Sequence, residues 1–291
     1  SCMVNAIEWI KILMRGFGQV MFRCNAVSGA LFFAGICAAA IYSDNHSMIW
    51  GSLAGGAIAT AVGAAIYGRE SATDGAWGFN GVLVGCALTA LPIAASRPFM
   101  WAVLALGAAL SPVAKKMLDK ALSKVGSGSL TLPFVIITWL AIMILGTNPA
   151  SSTDTIPAAA GIGGFSTAIL KGLSEVFLAD SAITGFIFIA ALAADSRRSA
   201  ALALFGSAIG IVAATIAGAS PAAIGNGLYG FSPALTAIAV GSRFDRLGIA
   251  PAAYTLLACG ATVIIQILIE IAGIPPLTAP FCIATLLSAR K

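Results

Sequence analysis

Charge is what this sequence has least of: Asp, Glu, Lys and Arg make up 9% of its 291 residues, against 59% hydrophobic residues and a mean hydropathy of +0.98. An ordinary soluble domain carries about 25% charged residues, so the scarcity of polar side chains alone excludes a water-soluble fold. Histidine is nearly missing too. The single His46, close to Asp44 in a polar connection, leaves no histidine-based metal cluster and no imidazole triad to assemble. There is no P-loop, and the glycine cluster Gly161-Ile162-Gly163-Gly164 reads as a turn. The six cysteines, at 2, 24, 37, 86, 259 and 282, show no CxxC spacing and read as buried packing. Glu8, Lys11 and Arg15 interrupt the start of the chain, so no cleavable signal peptide is expected. These absences speak against an enzyme, against any cofactor, and against coupling to ATP or to a proton relay.

Long apolar runs fill the space that charge leaves. Backbone amides must be satisfied internally in hydrocarbon, so such runs read as membrane helices rather than as the short alternating strands of a barrel. The expected fold is an all-α polytopic membrane protein with about ten transmembrane helices, placed near 25–43, 47–68, 78–96, 98–114, 129–147, 181–194, 199–218, 228–242, 247–269 and 274–289. Ser220-Pro221 and Gly225-Asn226-Gly227 supply the break in the run from 199 to 242. With the N-terminus inside, fourteen of the sixteen Lys and Arg residues fall on the cytoplasmic face and only Arg97 and Lys171 do not, so both termini are expected to be cytoplasmic. The net charge of +5 follows from this bias and calls for no nucleic acid partner. The Lys115 to Lys124 cluster is placed to meet anionic membrane lipids.

The sequence also repeats itself in three ordered blocks. Gln19-Val20-Met21-Phe22 and Asn25-Ala26-Val27-Ser28-Gly29 pair with Glu175-Val176-Phe177-Leu178 and Ser181-Ala182-Ile183-Thr184-Gly185. Gly75-Ala76-Trp77-Gly78-Phe79-Asn80-Gly81-Val82-Leu83 pairs with Gly227-Leu228-Tyr229-Gly230-Phe231-Ser232-Pro233-Ala234-Leu235. The third block starts at Thr131-Leu132-Pro133-Phe134 and Thr278-Ala279-Pro280-Phe281 and holds six identities in ten. Offsets of 156, 152 and 147 residues drift smoothly. Five spans per copy is an odd number, so the second copy is expected to enter the membrane from the opposite side, with residues 1–147 as the first inverted repeat, 148–165 as a linker and 166–291 as the second repeat.

The repeated residues carry a particular chemistry. Pro133 and Pro280 lie in apolar spans, where each is expected to deprive a carbonyl four residues earlier, at Ser129 and Pro276, of its helical donor. Thr131 and Thr278 add hydroxyls beside those carbonyls. The result is a row of acceptors suited to a flat, neutral solute rich in N–H groups. Phe79 with Leu83 and Phe231 with Leu235 are four residues apart and share a helix face, giving an apolar wall. Gln19 and Glu175 occupy one repeat position, and Glu175 reads equally well as an interfacial charge near Lys171. Glu270 has no acidic counterpart at the matching place in the first half and reads as a headgroup-level residue.

At these blocks the chain resembles the urea transporter family. The residues carrying the likeness are Gly18-Gln19-Val20-Met21-Phe22 with Asn25, Gly78-Phe79-Asn80-Gly81-Val82-Leu83, Leu130-Thr131-Leu132-Pro133-Phe134, and Pro276-Leu277-Thr278-Ala279-Pro280-Phe281. The resemblance implies passive, channel-like transport of urea through a pore between the two repeats, short re-entrant segments, and a homotrimer in the cell membrane. By motif position it implies that Gln19, Val20, Phe22, Phe79 and Leu83 form one mouth site and that Glu175, Val176, Phe231 and Leu235 form the other. Thr131 and Thr278 are then expected at the narrow middle. One departure is visible: Leu178 stands where Phe22 stands in the first half, so that aromatic wall is either lopsided or supplied by Phe177. The alternative reading is an ion-coupled secondary carrier of a small polar solute, using Glu175 or Glu270.

Overall fold

A computed structural model describes residues 6–148, 161–245 and 248–289. Arg246, Arg290, Lys291 and most of the expected linker, residues 149–160, lie outside them. The described residues form helices joined by turns, in the order α1 (Ala6–Gln19), α2 (Ala26–Tyr42), α3 (Ser47–Tyr67), α4 (Phe79–Ala90), α5 (Arg97–Leu122), α6 (Leu132–Leu145), α7 (Gly161–Ser174), α8 (Ala182–Asp195), α9 (Arg197–Ile216), α10 (Pro221–Gly225), α11 (Phe231–Gly241), α12 (Ile249–Ile271) and α13 (Ala279–Leu287). The only β contact among them is an isolated bridge between Ile93 and Thr147. The glycine cluster at 161–164 opens α7 and is not a turn, because the apolar residues that follow continue into a helical face.

Among the described residues four helices are long and apolar enough to cross a membrane: Ser47–Tyr67, Arg97–Val125 with its terminal turn, Arg197–Ile216 and Ile249–Ile271. A fifth is reached if Ile162–Phe177 and Ala182–Asp195, which meet at a 74° bend, count as one broken span. Ala26–Tyr42, Phe79–Ala90, Leu132–Leu145 and Phe231–Gly241 are apolar but shorter. Ten full-length spans are therefore not what the helices measure. Several apolar runs spend residues on turns: the expected spans at 78–96 and 129–147 hold helices of only 12 and 14 residues.

Local chemistry sets the helix ends. Asn25 caps α2 through its side-chain oxygen, which accepts from Val27 N at 2.8 Å, and Ser181 caps α8 by accepting from Thr184 N at 3.2 Å. Pro112 lies inside α5 and removes a donor for the carbonyl of Ala108. The hydroxyl of Ser111 donates to that carbonyl at 2.9 Å, so the buried proline leaves no vacant acceptor in the helix.

The chain divides into two compact units, residues 1–121 with 131–150, and residues 122–130 with 151–291. In the first, α3 packs on α4, α1 on α2, and α4 on α6; in the second, α11 packs on α9 and α12, α7 on α8, and α12 on α13. Backbone contact at equivalent glycines holds each unit. A Cβ at Gly29 would stand 1.6 Å from the carbonyl oxygen of Met14, and one at Gly185 would stand 1.9 Å from that of Leu170. Gly75 and Gly227 take φ of 78° and 75°, and a Cβ there would meet the backbone nitrogens of Gly16 and Gly172 at 2.4 and 2.2 Å. Small residues let membrane helices approach this closely. The same close contacts at the same repeat positions mean that the two sequence copies fold alike locally.

Candidate functional site

Helices α1 and α7 each end in a corner of the same form. Phe22 N donates to the Gln19 carbonyl at 3.1 Å and Arg23 N to that of Gly18 at 2.9 Å. In the second unit Leu178 N donates to the Glu175 carbonyl at 2.9 Å and Ala179 N to that of Ser174 at 3.2 Å. The residue at each corner is left-handed, Phe22 with φ 62° and Leu178 with φ 56°. Glycine is the usual occupant of such a corner, and a side chain there costs about 1–2 kcal/mol. Keeping a large apolar residue at this cost points to a role for the side chain itself.

The polar residue of each corner is held differently. Gln19 Nε2 donates to the Asp74 carbonyl at 2.9 Å, which leaves Oε1 as the acceptor end of the amide. Glu175 is half-buried and forms no ion pair among the described residues. Lys171, the cation expected near it, pairs with Asp180 at 2.7 Å and reaches Asn226 Oδ1 at 3.3 Å. Val20 and Val176 are both buried beside these residues. Phe177 does not replace the missing aromatic: it is fully buried and stacks edge-on against Phe188 with ring centroids 5.1 Å apart. The second corner therefore presents Leu178.

The expected walls stand at the starts of α4 and α11. Phe79 and Phe231 are each 8% exposed, and Leu83 and Leu235, one turn on, are each fully buried. A hydrogen bond ties each wall to the threonine block of its own unit or to the residue preceding it. Asn80 Oδ1 accepts from Phe134 N at 3.1 Å in the first turn of α6, and Ser232 Oγ donates to the Leu277 carbonyl at 3.4 Å just before α13. Asn80 and Ser232 share a repeat position, so the sequence held the signal for this anchoring pair.

Thr131 and Thr278 are the N-caps of α6 and α13, with φ/ψ of −96°/15° and −95°/12°. Threonine is a favoured capping residue, yet neither hydroxyl caps its own helix. The residues before them, Leu130 and Leu277, are left-handed with φ of 53° and 45°. Only one other non-glycine residue outside these pairs, Asp44, has positive φ among the described residues. The prolines act otherwise than expected. Pro133 and Pro280 sit in the first turn of their helices, where a missing N–H leaves no intrahelical bond unmade. The Pro276 carbonyl keeps a partner, accepting from Ala279 N at 3.0 Å.

A further pair was hidden in the sequence. The buried faces of α5 and α12 coincide when Leu104 is set on Thr255, Ala108 on Cys259 and Ser111 on Thr262, which sets Lys115 on Gln266 and Asp119 on Glu270. Glu270 thus has an acidic counterpart. Lys115 Nζ bonds Asp119 at 2.6 Å and lies 5.5 Å from the centroid of Trp77. Gln266 Nε2 bonds Glu270 at 3.0 Å, and the hydroxyl of Tyr229, the repeat partner of Trp77, donates to the same carboxylate at 2.5 Å.

Each unit thus has an apolar aromatic wall, a buried threonine at a helix N-cap, and a polar corner residue. Such a set accepts hydrogen bonds from a flat neutral donor and gives a hydrated ion little to replace its water. A family model described as Urea transporter matches residues 10–289. Similar relatives include Urea transporter 1 of Ovis aries and of Capra hircus, each 28% identical over 307 residues, spanning 97% of this chain and 77% of the relative. Urea transporter 1 of Mus musculus is 27% identical over the same share of this chain and 76% of its own length.

Proposed function

The chain belongs to the urea transporter family, and from that membership we propose that it carries urea passively across a membrane, with Gln19, Val20, Phe22, Phe79, Leu83 and Thr131 as one set of contacts and Glu175, Val176, Phe231, Leu235 and Thr278 as the second. The observation that supports the assignment of these residues is the duplicated threonine: both stand at a helix N-cap with φ/ψ of −96°/15° and −95°/12°, and both are 3% exposed. Urea has four N–H donors and one carbonyl. Hydroxyl and amide oxygens replace the water those donors lose, while Phe79 and Phe231 face the flat π surface. The walls leave an ion without compensation for its hydration shell, so selectivity follows from what the site lacks.

The finer architecture, ten crossings in two inverted five-helix repeats with re-entrant segments, rests on the odd number of spans per copy and on the one-sided placement of basic residues. The cell-membrane location, the cytoplasmic termini and the homotrimeric state belong to the same reading. An ion-coupled carrier is the less favoured mechanism, since Glu270 is engaged by Tyr229 and Gln266.

Stopped-flow light scattering of proteoliposomes in an outward urea gradient tests the function. Shrinkage faster than that of empty liposomes, without stimulation by a proton or sodium gradient, is the expected result. Permeability equal to that of empty liposomes overturns it.

A further inference from the structure

The second unit gathers positive charge at one end, and that end opens onto an apolar seam. The start of α9, the end of α11, the start of α12 and the end of α13 meet there. Arg198 Nη2 donates to the Gly241 carbonyl at 2.9 Å and also to that of Phe244. Arg243 reaches the carbonyls of Ser288 at 3.1 Å and Thr285 at 3.4 Å, and the Tyr254 hydroxyl donates to Ser288 at 2.9 Å. A cavity of about 790 Å³ has Arg197 and Arg198 on its rim with Leu202, Phe205 and Ala252 as apolar wall. A neighbouring cavity of about 680 Å³ shares Pro251 with it and takes in Arg243.

Among the described residues none of the three guanidiniums forms an ion pair. Asp245 is the one carboxylate lining either cavity, so three positive charges face one negative. Arg198 Nε is buried and has no acceptor. The N-termini of α9 and α12 point their partial positive charge to the same end. Beyond this end the same two helices continue as a groove of about 430 Å³ lined by Ile209, Val212, Ile216, Leu256, Leu257 and Ile264, together with small residues. At 20 residues α9 is about 30 Å long, the thickness of a hydrocarbon core, so a head at Arg197 places the groove at acyl-chain depth.

The internal repeat shows that the fold does not demand this charge. With Ser52 set on Ser199, Thr60 on Ser207 and Gly63 on Gly210, the positions of Arg197 and Arg198 fall on Trp50 and Gly51; the register of Phe79 on Phe231 sets Arg243 on Leu91. At the matching end the first unit keeps one guanidinium, Arg97, which donates to Ser47 Oγ at 3.1 Å, whereas the second unit sets three at the end of a seam shaped for an amphiphile.

We propose that the seam between α9 and α12 binds one anionic phospholipid, with its phosphate held by Arg197, Arg198 and Arg243 and one acyl chain laid along the groove. Guanidinium forks match phosphate oxygens, and the basic face of a membrane protein meets the leaflet that carries anionic lipid. The site shares no residue with those proposed to contact urea, so lipid retention and urea flux are separate readouts.

Native mass spectrometry of the full chain with phosphatidylglycerol and phosphatidylcholine tests the site. One phosphatidylglycerol per chain is expected to be retained over phosphatidylcholine by about tenfold. Arg197→Gln with Arg243→Gln is expected to remove that preference while urea flux in phosphatidylcholine liposomes is unchanged. Gly260 faces open space in the groove, so Gly260→Phe, which leaves every arginine in place, is expected to lower retention of the same lipid. Equal retention of the two lipids overturns the proposal, as does a preference that survives both variants. A seam variant that changes the oligomeric state and leaves lipid retention untouched also overturns it, by assigning the seam to a second copy of the chain.

Discussion

The first unit sets a lysine beside its acid, and the second sets an amide. Lys115 neutralises Asp119 and lies over Trp77, whereas Gln266 and Tyr229 hold Glu270 by hydrogen bonds alone. At the other end of the second unit three arginines stand where the first has Trp50, Gly51 and Leu91. Against this drift in charge, the corners at Phe22 and Leu178, the glycine contacts at Gly29 and Gly185 and the starts of α6 and α13 agree to within a few degrees or tenths of an ångström. Backbone contact and strained geometry admit few alternatives, while a charge at a helix end can be exchanged wherever its local partner changes with it. The two copies therefore diverge in electrostatics and remain alike where main chain meets main chain.

The strongest way to break this comparison is to challenge the glycines. Gly29→Val and Gly185→Val are each expected to abolish recovery of monodisperse protein on size-exclusion chromatography, because the added atoms would overlap a carbonyl oxygen. Normal recovery of either variant would show that the contact yields. Next in size is the threonine pair. Thr131→Val and Thr278→Val are each expected to cut urea permeability by roughly fivefold to tenfold, from the loss of one hydrogen bond each, with unchanged assembly. Thr131→Ser is expected to retain flux. A flux loss from only one of the two Thr→Val variants would mean that the repeat is functionally lopsided. The smallest effect is expected at the corner that lacks an aromatic: Leu178→Gly removes the left-handed strain and should raise stability by about 1 kcal/mol, read as a higher thermal midpoint. A lower midpoint would mean that the Leu178 side chain contributes more packing than its backbone costs.

Much of this was legible in the residues because the three blocks repeat side-chain identity as well as polarity. Phe79 with Leu83 and Phe231 with Leu235 share the first turns of α4 and α11, as their spacing predicts, and Thr131 and Thr278 immediately precede α6 and α13. What was hidden has physical causes. Helix α1 is interrupted by Glu8, Lys11 and Arg15, and α7 carries Lys171, so neither looks like a membrane run. A proline at a helix's second position and one in its interior look alike inside an apolar run, and only the turn at Leu130 or Leu277 separates them. Asp119 and Glu270 escaped pairing because their equivalence rests on which face of a helix is buried, and α5 is longer than α12. The left-handed state of Phe22 and Leu178 has no marker in composition at all, since nothing but the surrounding corner requires it.

Helices α6 and α13 have 14 and 9 residues, lengths of about 21 and 14 Å, where a bilayer's oily interior measures about 30 Å. In the re-entrant arrangement proposed above, with Thr147-Asn148 and Ser288 among the headgroups, their near ends would stop partway down. On that proposal helix length would act as a depth gauge, setting each threonine in the layer where water is scarcest and where one well-aimed oxygen counts most toward a passing molecule.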